Sequence, residues 1–118
     1  MPIVGLDSVV AVVPVTNQVA AVTWYEALLG RDADVVPTED VAEWELAPGA
    51  WLQVTTEPER AGSTTVVLVV SDIEAQRAAC SEANVVLGAL TEYPGIVKTV
   101  DAVDPDGNKV TFVQDISG

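Results

Sequence analysis

The sequence predicts an α+β fold made of two tandem βαβββ modules, and three features carry that expectation. The first is repetition: Val9 to Thr55 and Thr64 to Gln114 each run apolar strand, capped helix, short strands, glycine turn and last strand. The second is the chemistry of the segments, since Val-rich runs such as 9–13 and 66–70 suit strands and the Ala-containing runs that follow suit helices. The third is the polar Glu57-Pro58-Glu59-Arg60-Ala61-Gly62-Ser63 stretch between the copies, whose Pro and Gly mark a linker. One domain over 1–118 is expected, with modules at about 7–56 and 64–115 joined by 57–63.

Each element has its own signal. Thr16 or Asn17 can cap a first helix in which Val22, Tyr25 and Leu29, or Ala21, Tyr25 and Leu28, form one stripe, and Gly30 suits its end. Pro48-Gly49 then turns the chain into a strand from Ala50 to Val54. In the second copy, Ser71-Asp72-Ile73-Glu74 reads as a capping box in which the Ser71 hydroxyl accepts the Glu74 amide, starting a helix that runs to about Ala83. Asp104-Pro105-Asp106-Gly107-Asn108 is a tight turn before the last strand, because Pro pre-sets one φ and Gly or Asn tolerates a positive one.

Composition narrows the function. The chain has 118 residues, five basic against eighteen acidic, for a net charge of −13. Such a charge repels phosphate backbones and anionic lipid surfaces, so neither nucleic acid nor membrane is an expected partner. No apolar stretch approaches the ~18 residues that span a bilayer, and the start lacks a secretory pattern, so a cytoplasmic location is expected. Between Arg31 and Glu45, Asp32, Asp34, Glu39, Asp40, Glu43 and Glu45 oppose a single base. A cationic ligand would be drawn there, although an acid-rich surface also simply keeps a Val-rich domain in solution.

The chain contains no histidine. Imidazole-based general base work, Ser-His or Cys-His nucleophiles and histidine metal sites are therefore excluded, leaving carboxylates, Lys, Tyr or Cys for any chemistry. Glu43 and Glu45 share one strand face at period two, as a functional acid pair or as the strand's wet side. The lone Cys80 reads as a small hydrophobe.

Several of these segments together resemble a known family. Pro14-Val15-Thr16-Asn17, Trp24-Tyr25-Glu26-Ala27-Leu28-Leu29-Gly30, Val70-Ser71-Asp72-Ile73-Glu74-Ala75 and Asp104-Pro105-Asp106-Gly107-Asn108 are similar to the landmarks of the vicinal oxygen chelate superfamily, the glyoxalase/bleomycin resistance fold. The resemblance covers nearly the whole chain. It implies curved sheets around a cleft, with helices on the outer side, and paired modules in a homodimer. Whether modules pair within one chain or are exchanged between chains stays open.

In metal-using members, side chains near the starts of the first strands and within the last strands hold a divalent ion. Laid on this chain, those places fall near Val10, or else Ser8, and on Thr65, Gln53 and Thr111. None is histidine or a carboxylate, so no metal or other cofactor is expected. The resemblance to metal-free, antibiotic-binding members implies capture of a cationic, aromatic small molecule. Trp51 would share the cleft face with Gln53 by strand alternation. Trp44 and Tyr93 are further candidate rings, with Trp44 and Trp51 each also readable as core. Thr65, Gln53 and Thr111 would orient the ligand, and Glu43 and Asp101 are the candidate cleft carboxylates. The alternative is a metal-independent isomerase or lyase that uses one of those carboxylates. Trp24 reads as packing or as part of a dimer surface.

Overall fold

The computed structural model describes residues 2–118. Strand β1 (Val9–Val15) enters helix α1 (Gln18–Leu29), and the chain returns through β2 (Val35–Thr38), β3 (Val41–Ala47) and β4 (Ala50–Thr56). After a turn of 3-10 helix at Pro58–Arg60, the order repeats as β5 (Thr65–Val69), α2 (Ile73–Glu82), β6 (Thr91–Tyr93), β7 (Val97–Val103) and β8 (Lys109–Asp115). Among the described residues the result is two four-stranded sheets, ordered β1-β4-β3-β2 and β5-β8-β7-β6, and no closed barrel. In each, the first strand lies parallel to the last, while the other neighbours are antiparallel. A parallel pair cannot be joined by a tight turn, which is why each module needs a helix in the crossover.

Local chemistry fixes the helix ends. Asn17, not Thr16, caps α1 by accepting the Ala20 amide at 3.0 Å. Gly30 ends the helix at φ 77°, a left-handed conformation that costs glycine nothing. The buried stripe of α1 is Ala21, Tyr25 and Leu28. The expected cap of α2 is corrected by one residue: Asp72 Oδ1, not the Ser71 hydroxyl, accepts the Glu74 and Ala75 amides at 3.1 Å each. A carboxylate is the stronger acceptor at the positive end of a helix. Glu74 accordingly turns to Arg77, 2.7 Å away, instead of closing a capping box.

Both helices pack on one face of their sheets. Ala42, Trp44, Leu52 and Val54 of the first sheet, Val100, Ala102, Val110 and Phe112 of the second, Ala21, Tyr25 and Leu28 of α1, and Ile73 and Cys80 of α2 form one continuous buried cluster. The molecule is a slab of 43 × 42 × 25 Å with a radius of gyration of 15.0 Å. A compact chain of this length would have roughly 13.5 Å. The excess reflects two modules lying side by side with one sheet face each left uncovered.

The turn before β8 ties the modules together. Asn108 donates through Nδ2 to Pro14 O of β1 and to Asp104 Oδ2, both at 2.9 Å, and accepts the Gly62 and Thr64 amides at 3.0 Å each. Asp104 also accepts the Tyr25 hydroxyl at 3.0 Å, and Asp106 accepts the Thr16 hydroxyl at 2.6 Å. Gly62 must be glycine here, because a Cβ would fall 2.6 Å from the Asp106 carbonyl oxygen at φ +99°. Burial, then the charge of Asp104 and its hydrogen bond, pushes the Tyr25 phenol well above its usual range, so it remains a neutral donor.

Candidate functional site

The helix-free face of each sheet holds most of the polar side chains singled out in the sequence. On the first sheet, Glu43 pairs with Gln53 and Glu45 with Trp51 across β3 and β4, while Val10 and Val12 of β1 register with Trp51 and Gln53. On the second, Asp101 pairs with Thr111, Val67 registers with Thr111 and Thr65 with Lys109, and Tyr93 pairs with Val97. Directly opposed residues share a face, so these form one polar and aromatic patch per module, bordered by valines.

At the centre of each patch stands the same device. Gln53 Nε2 donates to Glu43 Oε2 at 2.7 Å, and Thr111 Oγ1 donates to Asp101 Oδ1 at 2.7 Å. In both modules a neutral donor on the last strand orients a half-buried carboxylate on the strand before it. Each carboxylate keeps an acceptor oxygen for a ligand N–H or O–H.

The acidic approach is partly organised. Arg31 pairs with Asp34 at 2.5 Å and donates to the Glu45 carbonyl, while Asp34 Oδ2 accepts the Glu45 amide at 2.7 Å. That amide, and then Arg31, hold the Asp34 carboxyl below its ordinary range. The single base of the segment is thereby consumed, and Asp32, Glu39, Asp40 and Glu43 have no cationic partner among the described residues.

Of the candidates, Gln53, Glu43, Trp51, Thr65, Thr111, Asp101 and Tyr93 lie on the helix-free faces. Trp44 does not. It is 0% exposed, its ring centroid 6.3 Å from that of Tyr25, with Nε1 donating to Arg31 O at 3.0 Å. It is one residue out of phase with Glu43 and Glu45, so the pleat sends it under α1. Trp24 meets Tyr25 edge-on at 4.7 Å and is a packing residue. In register, Val12 and Val67 lie directly beside Gln53 and Thr111, with Val10 and Thr65 two residues earlier on the same faces, and Ser8 precedes β1. The equal spacing of Glu43 to Gln53 and Asp101 to Thr111 was the sequence signal for the pairing of each carboxylate with the last strand of its module.

By the family pattern a metal would meet Val10 or Ser8, Gln53, Thr65 and Thr111. A valine or a serine, an amide and two threonine hydroxyls do not fit Zn²⁺ or Fe²⁺. Among the described residues no three His, Cys, Asp or Glu side chains come together as a metal site. A surface depression of about 700 Å³ lies among Arg77, Ser81, Asn84 and Val85 behind α2 and shares no residue with these patches.

Comparison with solved structures places the chain. A glyoxalase/bleomycin resistance protein from Catenulispora acidiphila DSM 44928 superposes with a TM-score of 0.87 at 34% identity, over 91% of this chain and 96% of that one. A glyoxalase-related enzyme from Clostridium phytofermentans has a TM-score of 0.79 at 14% identity, covering 98% and 100%. A bleomycin-binding protein complexed with bleomycin has a TM-score of 0.75 at 16% identity, covering 92% and 98%. No protein-family model matches the chain, and no curated protein sequence matches it. The fold and the first of these likenesses define the class: the chain belongs to the glyoxalase/bleomycin resistance protein family, within the vicinal oxygen chelate superfamily. Among the described residues no helix is long and apolar enough to cross a membrane.

Proposed function

We propose that the protein is a metal-independent small-molecule binder that captures a cationic, aromatic ligand, of the bleomycin-type antibiotic class, on the helix-free faces of its sheets. The observation that supports this most is the twin arrangement of oriented carboxylates, Glu43 held by Gln53 and Asp101 held by Thr111. Trp51 beside the first pair, and Tyr93 farther along the second face on edge strand β6, supply flat surfaces for stacking, worth about 1–3 kcal/mol per ring for a nucleobase-like partner. Unpaired acids around β2 and β3 would raise the encounter rate with a cation.

The same faces support a homodimer. Val10, Val12, Val67 and Val69 are 42%, 44%, 57% and 74% exposed on them, an apolar surface of the sort that marks an interaction site. Opposed modules of two copies would turn two open patches into two enclosed clefts.

The test is tryptophan fluorescence of the protein titrated with bleomycin-type glycopeptides and other cationic aromatic antibiotics at low and high salt, with sedimentation to read the oligomer. Saturable quenching that weakens with salt and falls at least tenfold in Trp51→Ala is expected, since one stacking contact is worth about that factor. A flat response across the panel would remove the capture reading.

A further inference from the structure

The two modules grip each other unequally, and the weaker grip leaves a cavity of about 380 Å³ at their junction. The halves correspond residue by residue: Tyr25 and Cys80 each follow their helix N-cap by the same number of residues, as Pro14 and Val69 each precede it. Counting from the matched Glu43–Gln53 and Asp101–Thr111 pairs, Leu46 stands where the other half has Asp104, and Ala50 where it has Asn108. On one side of the junction a phenol, a carboxylate and an amide fill the space and satisfy the Pro14 carbonyl. On the other, Leu46 and Ala50 stop short and Cys80 carries no ring.

What is left there is apolar with a polar end. Leu28, Leu46, Ala50 and Phe112 line it, together with Val69 and Gln76. The Val70 amide donates to Val113 O at 2.8 Å. In a trans peptide this aims the Val69 carbonyl the opposite way, off the open edge of β5 toward module one. Its counterpart, Pro14 O, receives Asn108 Nδ2, but Ala50 has no donor to offer. Gln76 spends one N–H on Cys80 Sγ at 3.4 Å and retains its amide oxygen as an acceptor.

We infer that this junction is a second ligand site, separate from the helix-free faces, that takes a small aromatic molecule carrying a hydroxyl. Its ring would replace the missing Tyr25 equivalent against Leu28, Leu46 and Phe112, and its hydroxyl would donate to the Val69 carbonyl or the Gln76 amide oxygen. The volume lies within the range of small-molecule pockets, and apolar walls with a few convergent polar groups are their usual makeup.

The test uses the ¹⁵N-labelled full chain titrated with 2-naphthol and, separately, naphthalene, read by amide NMR. Saturable shifts at Val70 N–H and the Gln76 side-chain amide are expected, with naphthalene binding several-fold more weakly. Ala50→Asn restores the missing donor and should weaken 2-naphthol about tenfold, the loss of a single hydrogen-bonded contact of ~1.4 kcal/mol. The same variant should leave antibiotic quenching of Trp51 unchanged, which keeps this inference separable from the capture reading. Shifts confined to Thr111 and Trp51, no saturable shift at all, equal affinity for naphthalene, or full binding by Ala50→Asn would each overturn it.

Discussion

Module one and module two share a hydrogen-bonding frame and divide the bulk between them unequally. Under α1 the seam is plugged by Tyr25 and Trp44, both 0% exposed. Under α2 the corresponding positions are Cys80 and Ala102, and the largest buried side chains of that half are Phe112 and Ile73. The polar frame, by contrast, recurs closely, with an Asx N-cap on each helix and a carboxylate tied to each last strand. Backbone donors must be satisfied wherever the fold places them, whereas core volume can be met by different side chains. Duplicated modules can therefore drift in packing while holding their helix caps and strand-bound carboxylates in common.

The largest expected effect tests the plug. Trp44→Ala should lower stability by about 3–5 kcal/mol in urea unfolding, because it opens a large cavity and strips Arg31 O of its donor. A loss below about 1 kcal/mol would mean that module one does not depend on its aromatic seam.

Tyr25→Phe should cost about 1–3 kcal/mol by leaving buried Asp104 short of a donor. It should also change the alkaline response. The folded phenol is raised above its unfolded value of about 10, so its contribution is complete below that pH and declines as pH rises through and beyond it. The wild-type chain should thus lose more stability than the variant between about pH 9 and 11, read as the shift in urea midpoint. Identical pH profiles would show that the phenol does not anchor the turn.

Cys80→Ala in the same position of module two removes only one sulfur and should cost about 1 kcal/mol. A penalty equal to that of Trp44→Ala would erase the contrast between the halves.

The smallest effect is local. Asp34 is held below the ordinary carboxyl range by the Glu45 amide and Arg31, so this tie persists above the unfolded carboxyl's pKa and is lost as pH falls through the lowered folded one. The protection factor of the Glu45 amide in hydrogen exchange should be high at neutral pH and should fall only below the ordinary carboxyl range. Loss of protection centred near pH 3.9, about the value of an unperturbed Asp, would contradict the tie.

The sequence by itself determined the order of elements, two possible stripes for the first helix with Gly30 at its end, the turn at Asp104–Asn108, and the shared face of Glu43 with Glu45 on one strand and of Trp51 with Gln53 on another. These follow from periodicity and turn chemistry, which act between near neighbours along the chain. It left Trp44 divided between cleft and core, because a tryptophan suits either side of a strand until the helix that covers one side is placed. It put the α2 cap on Ser71 because hydroxyl and carboxylate compete one residue apart, and geometry decided for Asp72. The partnership of Val12 with Gln53, the grip of Asn108 on Pro14 and the vacant junction beside Ala50 were decided only in three dimensions. Each depends on how one strand registers against another, or on how one module meets the next, and no local rule along the chain encodes either.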